Sequence, residues 1–403
     1  MDAARPIYLD HHATTPVDAR VLKVMLPFFS EEFGNAASRS HLYGWKAEEA
    51  VEQARGEVAM LIGAEPREII FSSGATEANN LAILGAARAV KAAKSERDTI
   101  VTCATEHRAV LDPCKQLETE GFRVVKIGVD AHGLIDLAQL REALDARTIL
   151  VSVMLANNEV GTVQPIAEIG ALAQAAGALF HCDAVQGIGK TPFNVRAMNV
   201  DLASLSAHKV YGPKGIGALF VRRRLPPIRL TPLQFGGGHE RGLRSGTLNV
   251  PATAGFGVAC AIYQREGETE AARLRALRDR LQAELFRRLD GLVLNGHPQQ
   301  RHPGNLNISF SGLEGESLLI AMKAIAVSAG SACTSAAFEP SHVLAAMGVA
   351  PSLAHAALRF GIGRFNTEAE MDFTADYVAQ TVTRLRQRAP TLQMPRAGAR
   401  RAG

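Results

Sequence analysis

WKAEEAVEQARGEVAMLIGAEPREIIFSSGATEANN, residues 45–80, changes its periodicity twice. In the first half Ala47, Ala50, Val51, Ala54, Val58 and Leu61 recur on one face of a helix, and Gly63 ends the run. EIIFSS (68–73) then reads as a strand that is close to continuously apolar. The strand runs through Gly74 into a second helix beginning near Ala75 and Thr76. Helix, covered strand and helix in that order form the unit of a parallel α/β sheet.

The same alternation continues to about residue 225. TIVTCA (99–104), RVVKIGV (123–129), TILVSVMLA (148–156), ALFHCDA (178–184), VDLASLSA (200–207) and GIGALFV (215–221) all read as strands rich in Val, Ile, Leu and Phe. Runs this apolar suit strands covered on both faces. The expected fold is α/β: a large domain over residues 15–255 with a mainly parallel seven-stranded sheet flanked by helices. Beyond residue 250 the pattern changes to a long helical segment near 252–289, NLNISFSG (305–312), GESLLIAMKAIAVSAG (315–330) and a helical MDFTADYVAQTVTRLRQ (371–387). That predicts a smaller α+β domain over 256–392, completed by residues 1–14. Residues 393–403 read as a disordered tail, and no internal repeat is present.

A chain of 403 residues with 47% hydrophobic and 21% charged content is an ordinary globular protein of roughly two domains. A net charge of +4 is too small to argue for nucleic acid or a membrane surface. No apolar run reaches the ~18 residues of a bilayer span, and MDAARPIYLD lacks the pattern of a secretion signal. The cysteines at 103, 114, 182, 260 and 333 are odd in number, scattered and without a C-x-x-C pair. They argue against a disulfide framework or a structural zinc site and for a reducing cytoplasm. Cys103, Cys114, Cys182 and Cys260 lie in strand or helix contexts and read as core. The His11–His12 pair has no partners at metal-ligand spacing and reads as a loop near the site.

Chemistry gathers on three loops that follow strands. SSGATEANN (72–80) can bring backbone N–H groups and the positive end of a helix to a phosphate, although such turns also occur without a ligand. In HCDAVQG (181–187), Asp183 ends a strand, where it can cap a helix or pair with a protonated ring nitrogen. In LSAHKVYGPKGIG (205–217), Lys209 is either a solvated loop residue or an amine placed for a Schiff base, with Ser206 and His208 beside it. Together they describe a site for pyridoxal 5'-phosphate (PLP), which needs an amine for its aldehyde, an acid for its pyridine nitrogen and a cradle for its phosphate. Cys333 sits in AVSAGSACTSA (326–336), a small-residue stretch that reads as a mobile, solvent-reachable loop with nothing bulky to bury the sulfur.

The chain resembles the cysteine desulfurases of the iron–sulfur cluster assembly type, within the PLP fold-type I (class V aminotransferase) enzymes. The resemblance runs nearly end to end, through YLDHHATTPVD, FGNAASRSH, SGATEANNLAI, TEHRAVLDPC, LANNEVGTVQPI, HCDAVQGIGK, SAHKVYGPKGIGAL, GGGHERGLRSGT, EGESLL, SAGSACTSA and LRFGIGRF. It implies that Lys209 binds the coenzyme's aldehyde and later carries the Cα proton, and that Asp183 pairs with the pyridine nitrogen. His107 stacks on the ring and is placed for proton transfer, although at a helix start it also reads as a cap. Gln186 bonds the phenolic oxygen. Ala75, Thr76, Ser206 and His208 hold the phosphate, joined by Thr247, which in the family arrives from the partner subunit of a homodimer. Asn158 and Arg359 hold the substrate carboxylate, Arg359 reading alternatively as a structural ion pair. Cys333 is the nucleophile that takes sulfur from L-cysteine as a persulfide and leaves L-alanine. The same cysteine is the candidate for holding an iron–sulfur cluster transiently.

The implied sulfur acceptors are an iron–sulfur scaffold protein and, through tRNA thiolation, others. Departures from the family pattern are Ala36 in place of a usual proline, Val185 in place of a small polar residue, and a tail of LRQRAPTLQM then PRAGARRAG, which differs where the family docks its scaffold. The competing expectations are a selenocysteine lyase or another fold-type I PLP enzyme, such as an aminotransferase, and a non-catalytic binding subunit of the same fold. Cys333 weighs against a plain aminotransferase, and Lys209, Asp183, His107 and Cys333 together weigh against a non-catalytic subunit.

Overall fold

The computed structural model describes residues 5–329 and 341–388. Its main sheet has seven strands: β2 (Ile69–Ser72), β3 (Thr99–Cys103), β4 (Arg123–Ile127), β5 (Thr148–Ser152), β6 (Leu179–Asp183), β7 (Leu202–Ser206) and β8 (Gly217–Val221). They lie in the order β2-β8-β7-β6-β5-β3-β4. The strands from β7 to β4 are mutually parallel, whereas β8 runs antiparallel to both β7 and β2. The β7–β8 connection is too short for a parallel crossover, which needs a dozen or more residues, so the chain can only return beside itself. Every residue of β3, β5 and β7 is buried, as strands covered on both faces must be. The expected strand over 148–156 pairs only as far as Ser152, and its remaining residues stay buried as they turn toward the strand ends.

The two edges of the sheet are protected in different ways. At β4, Arg123 and Lys126 face solvent, and edge charges of this kind oppose pairing with another sheet. At β2, the Phe71 N–H donates to Glu240 Oε2 at 2.7 Å, and Arg55 holds that buried carboxylate with two bonds of 2.8 and 2.9 Å.

A second, antiparallel sheet has β9 (Leu292–Asn295), β10 (Asn305–Phe310), β12 (Ser328–Ala329) and β13 (Ala357–Gly361) in the order β12-β13-β10-β9. The N-terminal segment joins this side of the molecule. β1 (Ile7–Tyr8) pairs in parallel with β11 (Ile325–Ala326), and Asp10 bridges to Gly361. A Cβ on Gly361 would come within 2.8 Å of the His11 nitrogen, so only glycine lets the segment lie this close. The helix Val250–Arg288 ties the two sheets together. Its first half adds Phe256, Cys260 and Ile262 to the core of the main sheet, and its second half adds Leu274, Leu277, Leu281 and Leu285 to the core of the other.

Candidate active site

The carboxyl ends of β3, β5, β6 and β7 open onto a cavity of about 580 Å³, the place where open α/β sheets bind ligands. Ala75, Thr76, His107, Asn158, Asp183, Gln186, Ser206, His208, Lys209 and Arg359 all line it. Thr247 is exposed and does not line the cavity of its own chain. Cys333 lies outside the described residues.

Lys209 ends the single turn Ala207–Lys209 that follows β7. Its Nζ donates to the Ala13 carbonyl at 2.7 Å and to the carbonyl of His12. Behind it the buried Lys190 donates to the Lys209 carbonyl at 2.7 Å, and burial pushes the Lys190 amine down to about 8. Asp183, the last residue of β6, is buried with both oxygens engaged. Oδ2 accepts from Asn79 Nδ2 at 2.7 Å and Oδ1 from the Val185 N–H at 3.2 Å.

The helix Ala75–Ala92 starts at Gly74 with no side-chain cap on its first N–H groups. Glu77 instead accepts from the Ser73 N–H at 2.8 Å and is held by Arg244 at 3.0 Å. A Cβ on Gly74 would meet nothing within 4 Å, and one on Gly217 would lie 2.8 Å from the Gly74 Cα, so two glycine turns pack backbone to backbone beside an open cradle. His208, whose Nδ1 lies 3.1 Å from Thr14 Oγ1, is lowered by burial to about 4 and is neutral at pH 7.

His107 is a helix cap, one of its two readings. It caps the helix Arg108–Thr119 by accepting the Ala109 N–H on Nδ1 at 3.1 Å, and its ring lines the cavity. Arg359 is half of an ion pair, the alternative reading of that residue. It is buried in β13 with Nη2 on Asp10 Oδ1 at 2.7 Å and Nη1 on the Asn158 carbonyl at 2.9 Å, while its buried Nε has no hydrogen-bond partner among the described residues. An ion pair fixes the guanidinium and leaves a donor over.

An amine, a buried carboxylate and an uncapped helix start around one cavity fit a phosphorylated pyridine aldehyde. Sequence reasoning missed Asn79, Asp10 and Lys190, and it gave no task to His12. Only Asn79 carried a signal, three and four residues past Thr76 and Ala75 on the helix after the glycine turn.

The four described cysteines behave as core. Cys103, Cys114, Cys182 and Cys260 are fully buried. Burial pushes Cys103 and Cys114 up to about 12 and raises the other two as well, so all four remain thiols. Among the described residues no cluster of three or more His, Cys, Asp or Glu can hold a metal ion.

Comparison with known proteins places this arrangement. The family model for aminotransferase class-V matches residues 7–373. Cysteine desulfurase IscS of Anaeromyxobacter sp. strain Fw109-5 is 57% identical over 98% of this chain and 96% of that protein. Among solved structures, a NifS-like protein superposes with a TM-score of 0.87 at 38% identity over 94% of this chain and all of that one. SspA in complex with cysteine superposes with a TM-score of 0.79 at 36% identity, covering 90% of this chain and all of its own. With the lysine, the aspartate and the glycine turn gathered around one cavity, the chain belongs to the class-V aminotransferase family, in its cysteine desulfurase branch.

Proposed function

We propose that this protein removes sulfur from L-cysteine and leaves it on Cys333. In the overall reaction the Cβ–S bond of the substrate breaks, an S–S bond to Cys333 forms, and L-alanine departs with the thiol's proton balancing the carbon. The observation that carries the reading is the convergence of Lys209, Asp183 and Arg359 on one cavity. PLP, when bound, supplies an electron sink for the Cα carbanion.

The remaining work falls to the chain's own groups. Lys209 binds the aldehyde and then moves the Cα proton, Asp183 keeps the pyridine nitrogen protonated, and His107 covers the ring. Ala75, Thr76, Ser206 and His208 hold the phosphate. Arg359 and Asn158 seat the substrate carboxylate, for which a guanidinium has the matching fork. The assignment of Cys333 is supported by the state of the other four sulfurs, each buried as a thiol, since the thiolate is the nucleophile.

The same reading takes residues 15–255 as the coenzyme domain, with 1–14 and 256–392 as the smaller domain. It places the protein in the cytoplasm as a homodimer that shares Thr247 across its interface. It delivers persulfide sulfur to an iron–sulfur scaffold and to other acceptors, with Cys333 as the point of any transient cluster contact. Among the described residues no helix is long and apolar enough to cross a membrane.

The test is stoichiometric. PLP-loaded protein given L-cysteine and a reductant should yield alanine and sulfide in equal amounts. Cys333→Ala should keep the visible coenzyme band and form no persulfide; full sulfide release by that variant would refute the nucleophile.

A further inference from the structure

His12 carries no role in the reading above, yet its atoms hold two groups that face the reacting edge of the cavity. Gln186 Nε2 donates to the His12 carbonyl at 2.9 Å, and Gln186 Oε1 lies 3.3 Å from His12 Nδ1. The same carbonyl also accepts from Lys209 Nζ. A carbonyl oxygen can only accept, so the amide atom of Gln186 that faces it is the nitrogen. Oε1 is then the atom turned toward the imidazole, and it too can only accept. Nδ1 of His12 therefore carries the ring proton and Nε2 is bare.

His302 is the opposite tautomer. Its Nδ1 accepts from the Gly304 N–H at 3.1 Å, which leaves its proton on Nε2. The two rings meet edge to face, 4.6 Å apart at 82°, with His12 3% and His302 1% exposed. Among the described residues, His12 Nε2 has no hydrogen-bond partner. Burial holds His12 well below the usual imidazole range, and His302, Arg359, Lys190 and Lys209 around it push the same way. His302 is likewise lowered by burial, with Lys190 and Arg278 adding to the effect. Both rings are neutral at working pH.

We propose that His12 is a positioning residue whose Nδ1–H and backbone carbonyl clamp the Gln186 amide from both sides. The clamp makes Gln186 present its second Nε2–H, never Oε1, to the phenolic oxygen of the coenzyme that Lys209 binds. This rests on the PLP reading. A free amide turns over easily and would set a lone pair against that negative oxygen. A clamped one keeps a donor there, and a donor stabilises the oxygen's charge. It thereby favours loss of the proton shared between that oxygen and the Lys209 nitrogen. His302 fills the space behind the ring that the clamp needs to stay in register.

Two measurements on the full-length, PLP-loaded protein test this. Nitrogen-15 spectra of histidine-labelled protein, with the His12 signal assigned by its loss in His12→Leu, should show a neutral Nδ1–H tautomer from pH 6 to 9. The pH midpoint of the visible coenzyme band should move up by about half to one pH unit in His12→Leu. His12→Asn, whose amide N–H takes the place of Nδ1–H, should restore the wild-type midpoint, which a merely structural role would not predict. An Nε2–H tautomer or an imidazolium at His12 overturns the proposal, as does an unchanged midpoint in His12→Leu. A wild-type protein that gains no visible band from PLP would strike the coenzyme reading instead, and the tautomer would still decide the clamp.

Discussion

Asn79 donates its side-chain N–H to Asp183 Oδ2 at 2.7 Å across the floor of the cavity, joining the first turns of the helix after β2 to the end of β6. Both residues are buried, and the Asn79 Oδ1 has no hydrogen-bond partner among the described residues, so this contact is what aims the amide. The bond holds the carboxylate in the orientation in which it would meet a pyridine nitrogen.

Asn79→Leu should therefore weaken coenzyme binding without touching the coenzyme itself. A hydrogen bond to a charged acceptor is worth ~1.5–3 kcal/mol, so PLP affinity should fall by at least about tenfold. Titration of coenzyme-free protein with PLP, followed by the visible band, measures it. An affinity within twofold of wild type would show that Asp183 needs no partner.

Arg359→Lys should separate substrate binding from coenzyme binding. The guanidinium spends Nη2 on Asp10 and Nη1 on the Asn158 carbonyl, keeping Nε over. An ammonium is a single point of charge and cannot serve two protein partners and a carboxylate in one plane. KM for L-cysteine should rise by about tenfold or more while the coenzyme band keeps its position and intensity. A parallel loss of the band would mean that Arg359 acts through the coenzyme pocket as a whole.

These pairs mark where sequence reading stops. The strands of the main sheet were legible because a strand covered on both faces must be apolar throughout, and Lys209 and Asp183 because polar residues at the ends of such runs stand out. The reversed direction of β8 was not read, although the short path from Ser206 to Gly217 carried it. Asp10 and His12 were illegible for another reason. Asp10 meets Arg359, and His12 meets Gln186 and Lys209, only because β1 docks against β11 from the far end of the chain. No local periodicity encodes contacts between residues hundreds of positions apart. Arg359 was read as either a substrate ligand or half of an ion pair, and the geometry supplies the ion pair.

Alkylation should divide the five sulfurs cleanly. Burial raises Cys103 and Cys114 to about 12 and the thiols of Cys182 and Cys260 as well, so none has a useful thiolate fraction at pH 8. Iodoacetamide on the native protein should leave these four unmodified and label Cys333, with all five reacting after denaturation. Peptide mass mapping reads the result. Rapid native labelling of any of the four would contradict its place in the core.

The last expectation concerns pH. Glu159 adjoins Asn158, is buried, and accepts from the hydroxyl of Ser341, which caps the helix His342–Ala346. Burial raises its carboxyl from 4.5 to about 7, against the opposing pull of the Ser341 bond and of Arg359. In the unfolded chain the group releases its proton near 4.5; in the folded chain it holds it until about 7. The folded state therefore binds the extra proton across that window, so the stabilisation present below pH 4.5 is lost as pH rises toward 7. The loss amounts to ~3 kcal/mol for a shift of this size. Glu159→Gln keeps an acceptor for Ser341 and removes the ionisation. Its denaturation midpoint should match wild type at pH 4 and exceed it at pH 8. Two curves that stay parallel from pH 4 to 8 would show that Glu159 is already ionised in the folded protein, with its charge compensated by Arg359.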